Sequence, residues 1–301
     1  MKTTVFLLFV FVVGCAAPSS DAPVAVPDAM SLLGDSLYSA EPSDALLARY
    51  NESKLAFEAD STNIENLIWY GRFTAYIGDY AQAIKIYSDG ISLSPNDARL
   101  YRHRGHRYIT IRKFDEAIKD FETAAKLIEG QPNEIEPDGM PNAQNIPVST
   151  LHGNIWYHLG LAYYLKHDLP NALRGFSNGL ATSANADNVV STSHWLYMIH
   201  RRMGHLKEAD QLLDGITADM EIIENTAYHQ LDLFYKGEVS EDQLKGEGPA
   251  NDAILYGIGN WHFYNGNTQI ANQKWREMME SPSWASFGYI AAESDLAHLF
   301  Q

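Results

Sequence analysis

The sequence predicts an all-α fold, a superhelical solenoid of antiparallel helix pairs that ends in a C-terminal capping helix. The first observation is a set of residues that recurs in fixed register: Gly71, Tyr80, Ala83 and Tyr87, then Gly105, Phe114, Ala117 and Phe121, then Gly160, Leu169, Ala172 and Phe176. The second is the turn pairs Gly78-Asp79 and Gly266-Asn267, which break a helix between two arms. The third is a composition of 46% apolar and 20% charged residues, which is ordinary for a globular chain. Each helix pair then buries its apolar face only against its neighbours.

The spacing of the recurring residues predicts where the repeats are interrupted by one insertion and by one irregular unit. The first two sets lie 34 residues apart, and the third follows after 55, which is 34 plus 21. Ala209 and Leu213 continue the pattern after 37 residues, and Ala271 and Trp275 follow 62 residues later. The last interval leaves room for one divergent helical hairpin.

The register divides the chain into segments. In chain order they are a signal peptide (1–14), a flexible tether that begins at Cys15 (15–30), an N-terminal helical segment (31–61), repeats one and two (62–131), an inserted loop (132–152), repeats three and four (153–221), a divergent helical hairpin (222–247), a last repeat (248–284) and a capping helix (285–301). Four prolines mark the inserted segment as a loop. Whether it is functional or structural filler stays open.

The repeating unit resembles the tetratricopeptide repeat (TPR) family, and the resemblance covers roughly residues 62–284. It is closest in residues 154–179, where the family's signature positions hold Trp156, Leu159, Gly160, Tyr163, Ala172 and Phe176. The resemblance implies a curved stack whose first helices line a concave groove, and a function in binding proteins.

The N-terminus resembles that of a bacterial lipoprotein. Lys2 precedes an apolar run over residues 5–13, which is too short to span a bilayer as a helix. The run ends at Gly14-Cys15, which resembles a lipobox and implies lipidation of Cys15, the only cysteine in the chain. Ala16 after it implies the outer membrane. The alternative is an ordinary signal peptide cut near Ala17.

Charge and motifs argue against several functions. The net charge of −16 argues against general binding to nucleic acid, which is met by an excess of Lys and Arg, but not against a local basic patch. Phosphate-binding loops and the common hydrolase and metalloprotease motifs are absent from the sequence. His103 and His106 share a helix face, but local spacing supplies no third zinc ligand, so they are interpreted as surface histidines. We therefore predict no catalytic residue, metal or cofactor.

A basic helix in the second repeat predicts a binding face. Residues 99–113 hold five arginines and one lysine and no acid. By the TPR register the partner-binding groove would contain Arg72, Tyr76, Arg99, Arg102, His106, Tyr157, Tyr164, His194, Arg201 and Arg202. Such a face suits an acidic peptide, a carboxylate or an anionic sugar chain. The alternative is that the arginines pair with acids of the second helices, such as Asp115, Glu116, Asp120 and Glu122.

The expected function is a membrane-anchored scaffold that binds protein partners in the bacterial cell envelope. The plan of the chain is loosely similar to the NlpI family of adaptor lipoproteins, which implies recruitment of envelope proteases and cell-wall hydrolases, often by a homodimer. The second hypothesis is an accessory lipoprotein of a nutrient uptake system, for example for polysaccharides. The third is an enzyme.

Overall fold

The computed structural model describes residues 26–300, which fold into helices preceded by one small β-hairpin. The strands are β1 (Ala29–Met30) and β2 (Ser36–Leu37). The helices are α1 (Asp44–Ala59), α2 (Ile64–Tyr76), α3 (Tyr80–Leu93), α4 (Ala98–Thr110), α5 (Phe114–Leu127), α6 (Leu151–Leu165), α7 (Leu169–Ala181), α8 (Ala186–Met203), α9 (Leu206–Leu212), α10 (Thr226–Tyr235), α11 (Pro249–Tyr264), α12 (Thr268–Met278) and α13 (Phe287–Leu299). Cys15 and the signal segment lie outside the described residues.

The predicted all-α solenoid of TPR-type helix pairs is confirmed. Antiparallel pairs form between α2 and α3, α4 and α5, α6 and α7, α8 and α9, and α11 and α12, and each packs on its neighbours in the chain. None of the helices in residues 26–300 is long and apolar enough to cross a bilayer.

Two segments differ from the sequence prediction. Residues 222–247 form one helix, α10, and a three-residue 3-10 turn at Glu241–Gln243 instead of a helical hairpin. Gly237, at φ 77°, ends α10, and Gly248-Pro249 starts α11 before a second helix has room to form. Residues 31–61 are helical only from Asp44, because Gly34 (φ 95°) turns the chain into the hairpin of β1 and β2.

The recurring glycine in each repeat accommodates an aromatic ring. A Cβ on Gly71 would lie 2.6 Å from Cε1 of Tyr87, and one on Gly160 would lie 2.6 Å from Cδ2 of Phe176. Gly105 stands in the same relation to Phe121, at 2.9 Å. In each of these three repeats the small residue therefore admits the ring that lies 16 positions later.

The turn inside each helix pair contains one residue in the left-handed conformation. In register these residues are Gly78, Arg112, His167, Gly204 and Gly266, with φ of 95°, 63°, 61°, 76° and 86°. A residue with a Cβ is strained there by about 1–2 kcal/mol. Arg112 and His167 accept that strain, and both side chains contact α13.

The two ends of the solenoid are joined through α13. Arg112 and Glu293 form a buried ion pair at 2.7 Å, and Arg112 also donates to the carbonyl of Trp284. The hairpin completes the closure, because the Leu32 amide donates to Glu293 and the Trp284 indole donates to the carbonyl of Tyr38. The predicted capping helix thus packs on α11 and α12 and also reaches α6 across the curvature.

Candidate functional site, an aromatic cleft inside the solenoid

The inserted loop covers the N-terminal part of the predicted groove. Arg102, 9% exposed, pairs with Glu136 of the loop at 3.0 Å. Arg72 donates to the carbonyl of Pro137, and Gly139 lies against the ring of Tyr76. The loop therefore fills the space that the sequence assigned to a partner.

The C-terminal part of the predicted groove is covered by α13 and α11. Arg202 forms a two-pronged ion pair with Asp295 of α13, at 2.5 and 2.8 Å. The hydroxyl of Tyr164 is 2.6 Å from that of Tyr256, and both rings are buried.

Three other predicted residues lie in the same interior. Tyr157 accepts a hydrogen bond from the indole of Trp195 at 2.6 Å. His194 is fully buried and bonds to the hydroxyl of Tyr235 at 3.1 Å. Arg201 donates to the hydroxyl of Tyr197 and is only partly exposed.

The predicted basic groove is not a free basic surface in the structure. Arg99 pairs with Asp97 and Glu65. The alternative pairing with a second helix holds for Arg104, which makes a two-pronged contact with Asp120.

The partners of the other buried arginines lie far along the chain. Arg102 pairs with a loop residue 34 positions away, and Arg112 pairs with Glu293, 181 positions away. Local spacing carries no signal for either pair. The acidic ligand that was inferred from free arginines therefore loses its structural basis.

An open cleft of about 710 Å³ remains between the repeats and the two chain ends. Its walls come from residues 39–46, the end of α2, the start of α3, α4, α10 and residues 282–288. Five aromatic side chains line it: Tyr76, Tyr80, Tyr228, Trp284 and Phe287. Of the predicted groove residues, Tyr76 and His106 lie in this wall.

A smaller pocket of about 190 Å³ adjoins the cleft, and Tyr228 and Phe287 line both. The wall of the pocket is mostly uncharged and polar: Ser149, Thr150, Gly153, Asn154, Tyr157, His158, Gly179, Asn188, Ser191, Thr192, Glu224 and Asn225 complete it. Of the predicted residues, Tyr157 belongs to this inner pocket.

Two adjacent imidazoles, tilted by 45° against each other, mark the boundary between the cleft and the inner pocket. The rings of His106 and His158 are 4.6 Å apart, and Phe287 lies 5.4 Å from each. Burial and the nearby Arg102 lower the pKa of His158 to about 3, and burial likewise lowers the pKa of His106. Both rings are therefore neutral at physiological pH.

The histidine pair that was considered for zinc is divided between two environments. His103 faces Glu136 at 3.7 Å, whereas the ring of His106 lies 4.6 Å from that of His158. The interpretation as surface histidines is wrong for His103, which is 5% exposed. Within residues 26–300, no three side chains of His, Cys, Asp or Glu are arranged to hold a metal ion.

No family model matches the chain. Among solved structures, the chain is similar to a tetratricopeptide repeat protein from Parabacteroides merdae, with 13% identity and a TM-score of 0.48 over 83% of this chain and 92% of that one. It is also similar to YrrB, described as a TPR protein with an unusual peptide-binding site, with 16% identity and a TM-score of 0.42 over 73% and 96% of the two chains. The protein MamA matches with 16% identity and a TM-score of 0.43 over 63% of this chain and 90% of that one.

Proposed function

We propose that the protein is a scaffold of the bacterial cell envelope that holds a short segment of a partner protein in the aromatic cleft. The observation that carries the proposal is the cleft itself, which stays open after the loop and α13 have covered the first helices. Its volume of about 710 Å³ suits a few residues of a loop or chain terminus rather than a whole domain. Aromatic side chains supply large contact areas at low entropic cost, as in many protein-binding surfaces.

The membrane anchor in this proposal depends on Cys15. β1 starts at Ala29, which is 14 residues after Cys15. In this proposal those residues would tether the folded body to the membrane. Cys15→Ala should move the full-length protein from the membrane fraction to the soluble fraction, and an unchanged distribution would remove the lipid anchor from the proposal.

The cleft is tested by a lysine placed in its wall. Leu46, on α1, is partly exposed in the cleft, and Leu55 on the same helix is 66% exposed and outside it. Capture of partners from solubilised membranes should be lost with Leu46→Lys and retained with Leu55→Lys. Equal capture by both variants, at equal thermal stability, would contradict binding in the cleft.

A second candidate function is capture of a neutral sugar chain for uptake. The observation that favours it is the combination of aromatic rings with the amide side chains of Asn154, Asn188 and Asn225 in the inner pocket. Calorimetry with neutral oligosaccharides tests it, and binding that is lost on Leu46→Lys would favour this function over the first.

The homodimer implied by the NlpI resemblance also remains a proposal, which sedimentation analysis of the folded body tests.

A further inference from the structure

The carboxyl group of Asp232, on α10, is buried without a hydrogen-bond partner. The residue is 0% exposed, and within residues 26–300 no group donates to either of its carboxyl oxygens. A buried acceptor without a donor destabilises a fold, and a buried charge without a partner does so far more. Burial accordingly raises the pKa of the Asp232 carboxyl group well above its usual range, which favours the protonated form.

Asp232 is on the face of α10 that packs against α8. It shares this face with Tyr228, four residues earlier, and with Tyr235, three residues later. The rings of Tyr228 and Tyr235 lie 4.9 and 5.9 Å from that of His194 on α8. His194 is fully buried too, and its Nε2 also has no hydrogen-bond partner in the described part of the chain. The interface between α8 and α10 thus contains polar atoms that the fold does not satisfy.

The cations near this interface are bonded to other groups. On α10 itself, Lys236 pairs with Glu238 at 2.8 Å, and His229 bonds to a backbone carbonyl. The titratable groups that α8 and α11 present here are His194, Tyr197, Arg201 and Tyr264. Arg201 donates to the hydroxyl of Tyr197 and to Asn265. Within residues 26–300, no cation is therefore left to stabilise an ionised carboxyl group on this face of α10.

α10 is less constrained than the helices of the repeats. It is ten residues long, stands outside the antiparallel pairs and begins without a side-chain cap. The carboxylate of Asp187, on α8, accepts hydrogen bonds from the amides of residues 223, 224 and 225, so the segment before α10 stays fastened to α8. Tyr228 of α10 lines both the cleft and the inner pocket. A movement of α10 on this tether would therefore move a wall of both cavities.

We propose that α10 is a hinged wall of the aromatic cleft, and that ionisation of Asp232 opens it as the pH rises. Such an opening does not depend on which ligand the cleft takes. In the closed form Asp232 holds a proton, whereas in the open form it meets water and ionises with its ordinary pKa of about 3.9. Above about pH 4 the closed form binds more protons than the open form. The open form therefore gains about tenfold per pH unit, until the carboxyl group of the closed form ionises as well.

His194 acts in the opposite direction at low pH. Burial lowers the pKa of His194 to about 3, so an opening that exposes the ring lets it bind a proton below about pH 6.5. Above about pH 6.5 the imidazole is neutral in both forms, and Tyr and Lys side chains do not yet titrate. The contribution of Asp232 is therefore measured between about pH 6.5 and 8.

Amide hydrogen exchange of α10 in the full chain tests the proposal, with each rate corrected for the pH dependence of the exchange chemistry itself. Between about pH 6.5 and 8 we expect the corrected rate to rise at least about tenfold in the wild type. It should stay level in Asp232→Asn, which keeps the shape of the side chain and cannot ionise, and in Asp232→Leu. Asp210→Asn, at an exposed position of α9, is the control and should behave like the wild type.

Two results would overturn the proposal. One is the same corrected pH dependence in the wild type and in Asp232→Asn. The other is an equal rise in the exchange of α3, because that would show unfolding of the whole chain and not an opening of α10. The measurement needs no ligand, so either result leaves the proposed function standing.

Discussion

The two halves of the concave face are covered in different ways. The loop lies over α2 and α4 through polar contacts made by Glu136 and Pro137, and it leaves Ile135 and Met140 exposed at 65% and 62%. In contrast, α13 packs through side chains at most 2% exposed: Ile290, Ala291, Ala292 and Leu296. These four belong to the same core cluster as Trp195 and Trp275.

The difference indicates which cover is part of the fold. Removing α13 would expose the main core and leave two buried arginines without acids. Removing the tip of the loop would expose little apolar surface. The loop over α2 and α4 is thus an addition to the repeats, whereas α13, which covers the C-terminal half, is part of the hydrophobic core.

Loss of the ion pair under α13 should give the largest effect. Arg112→Ala leaves Glu293, which is fully buried, without its cation, and we expect the free energy of unfolding to fall by about 3–5 kcal/mol in urea denaturation. Arg112→Met combined with Glu293→Leu should recover most of the loss. Lys113→Ala, at the exposed neighbouring position, is the control and should change stability by less than about 0.5 kcal/mol.

An added methyl group at the recurring glycine should destabilise the repeats beneath the loop and beneath α13 by similar amounts. Gly71→Ala and Gly160→Ala each place a methyl group 2.6 Å from a buried ring, so each should cost about 1–3 kcal/mol in the same assay. Gly215→Ala, with no atom within 4 Å of the added methyl group, should be nearly neutral. A large loss of stability for only one of the two variants would show that the glycine and the ring do not pack in the same way in the two halves.

Acid should lower the free energy of unfolding through buried histidines beneath α13. Burial lowers the pKa of His158 and His194 to about 3 in the folded chain, against about 6.5 when unfolded. Because the unfolded chain binds more protons below pH 6.5, the contribution of each histidine falls as the pH decreases, by about 1 kcal/mol between pH 6.5 and 5.5. His194→Phe should make stability less dependent on pH in this range, and an unchanged slope would contradict a neutral His194.

Shortening the loop should give the smallest effect. Replacing residues 139–146 by a short Gly-Ser linker keeps Glu136 and Pro137 and removes the contact of Asn142 with Glu224. We expect the free energy of unfolding to change by about 1 kcal/mol or less, because the removed tip buries little and loop-closure entropy depends weakly on length. A loss as large as that of Arg112→Ala would show that the loop belongs to the core.

Sequence reasoning succeeded where contacts are local and failed where they are distant. Gly105 and Phe121 recur at a fixed spacing in the repeats, so the register predicted the helix pairs to which they belong. Arg112 and His167 showed no such signal, since their left-handed turns and their contacts with α13 are visible only after folding. The same reason explains the cleft, whose walls join residues 39–46 to residues 282–288.

The central claim is that a partner enters the aromatic cleft and not the arginine face predicted from the sequence. A photo-crosslinking residue placed at Leu46, at Arg99 or at Leu55 of the full-length protein in cells tests it directly. We predict a discrete adduct with a partner protein from position 46, and none from 99 or 55. An adduct from position 99 with none from position 46 would contradict the account.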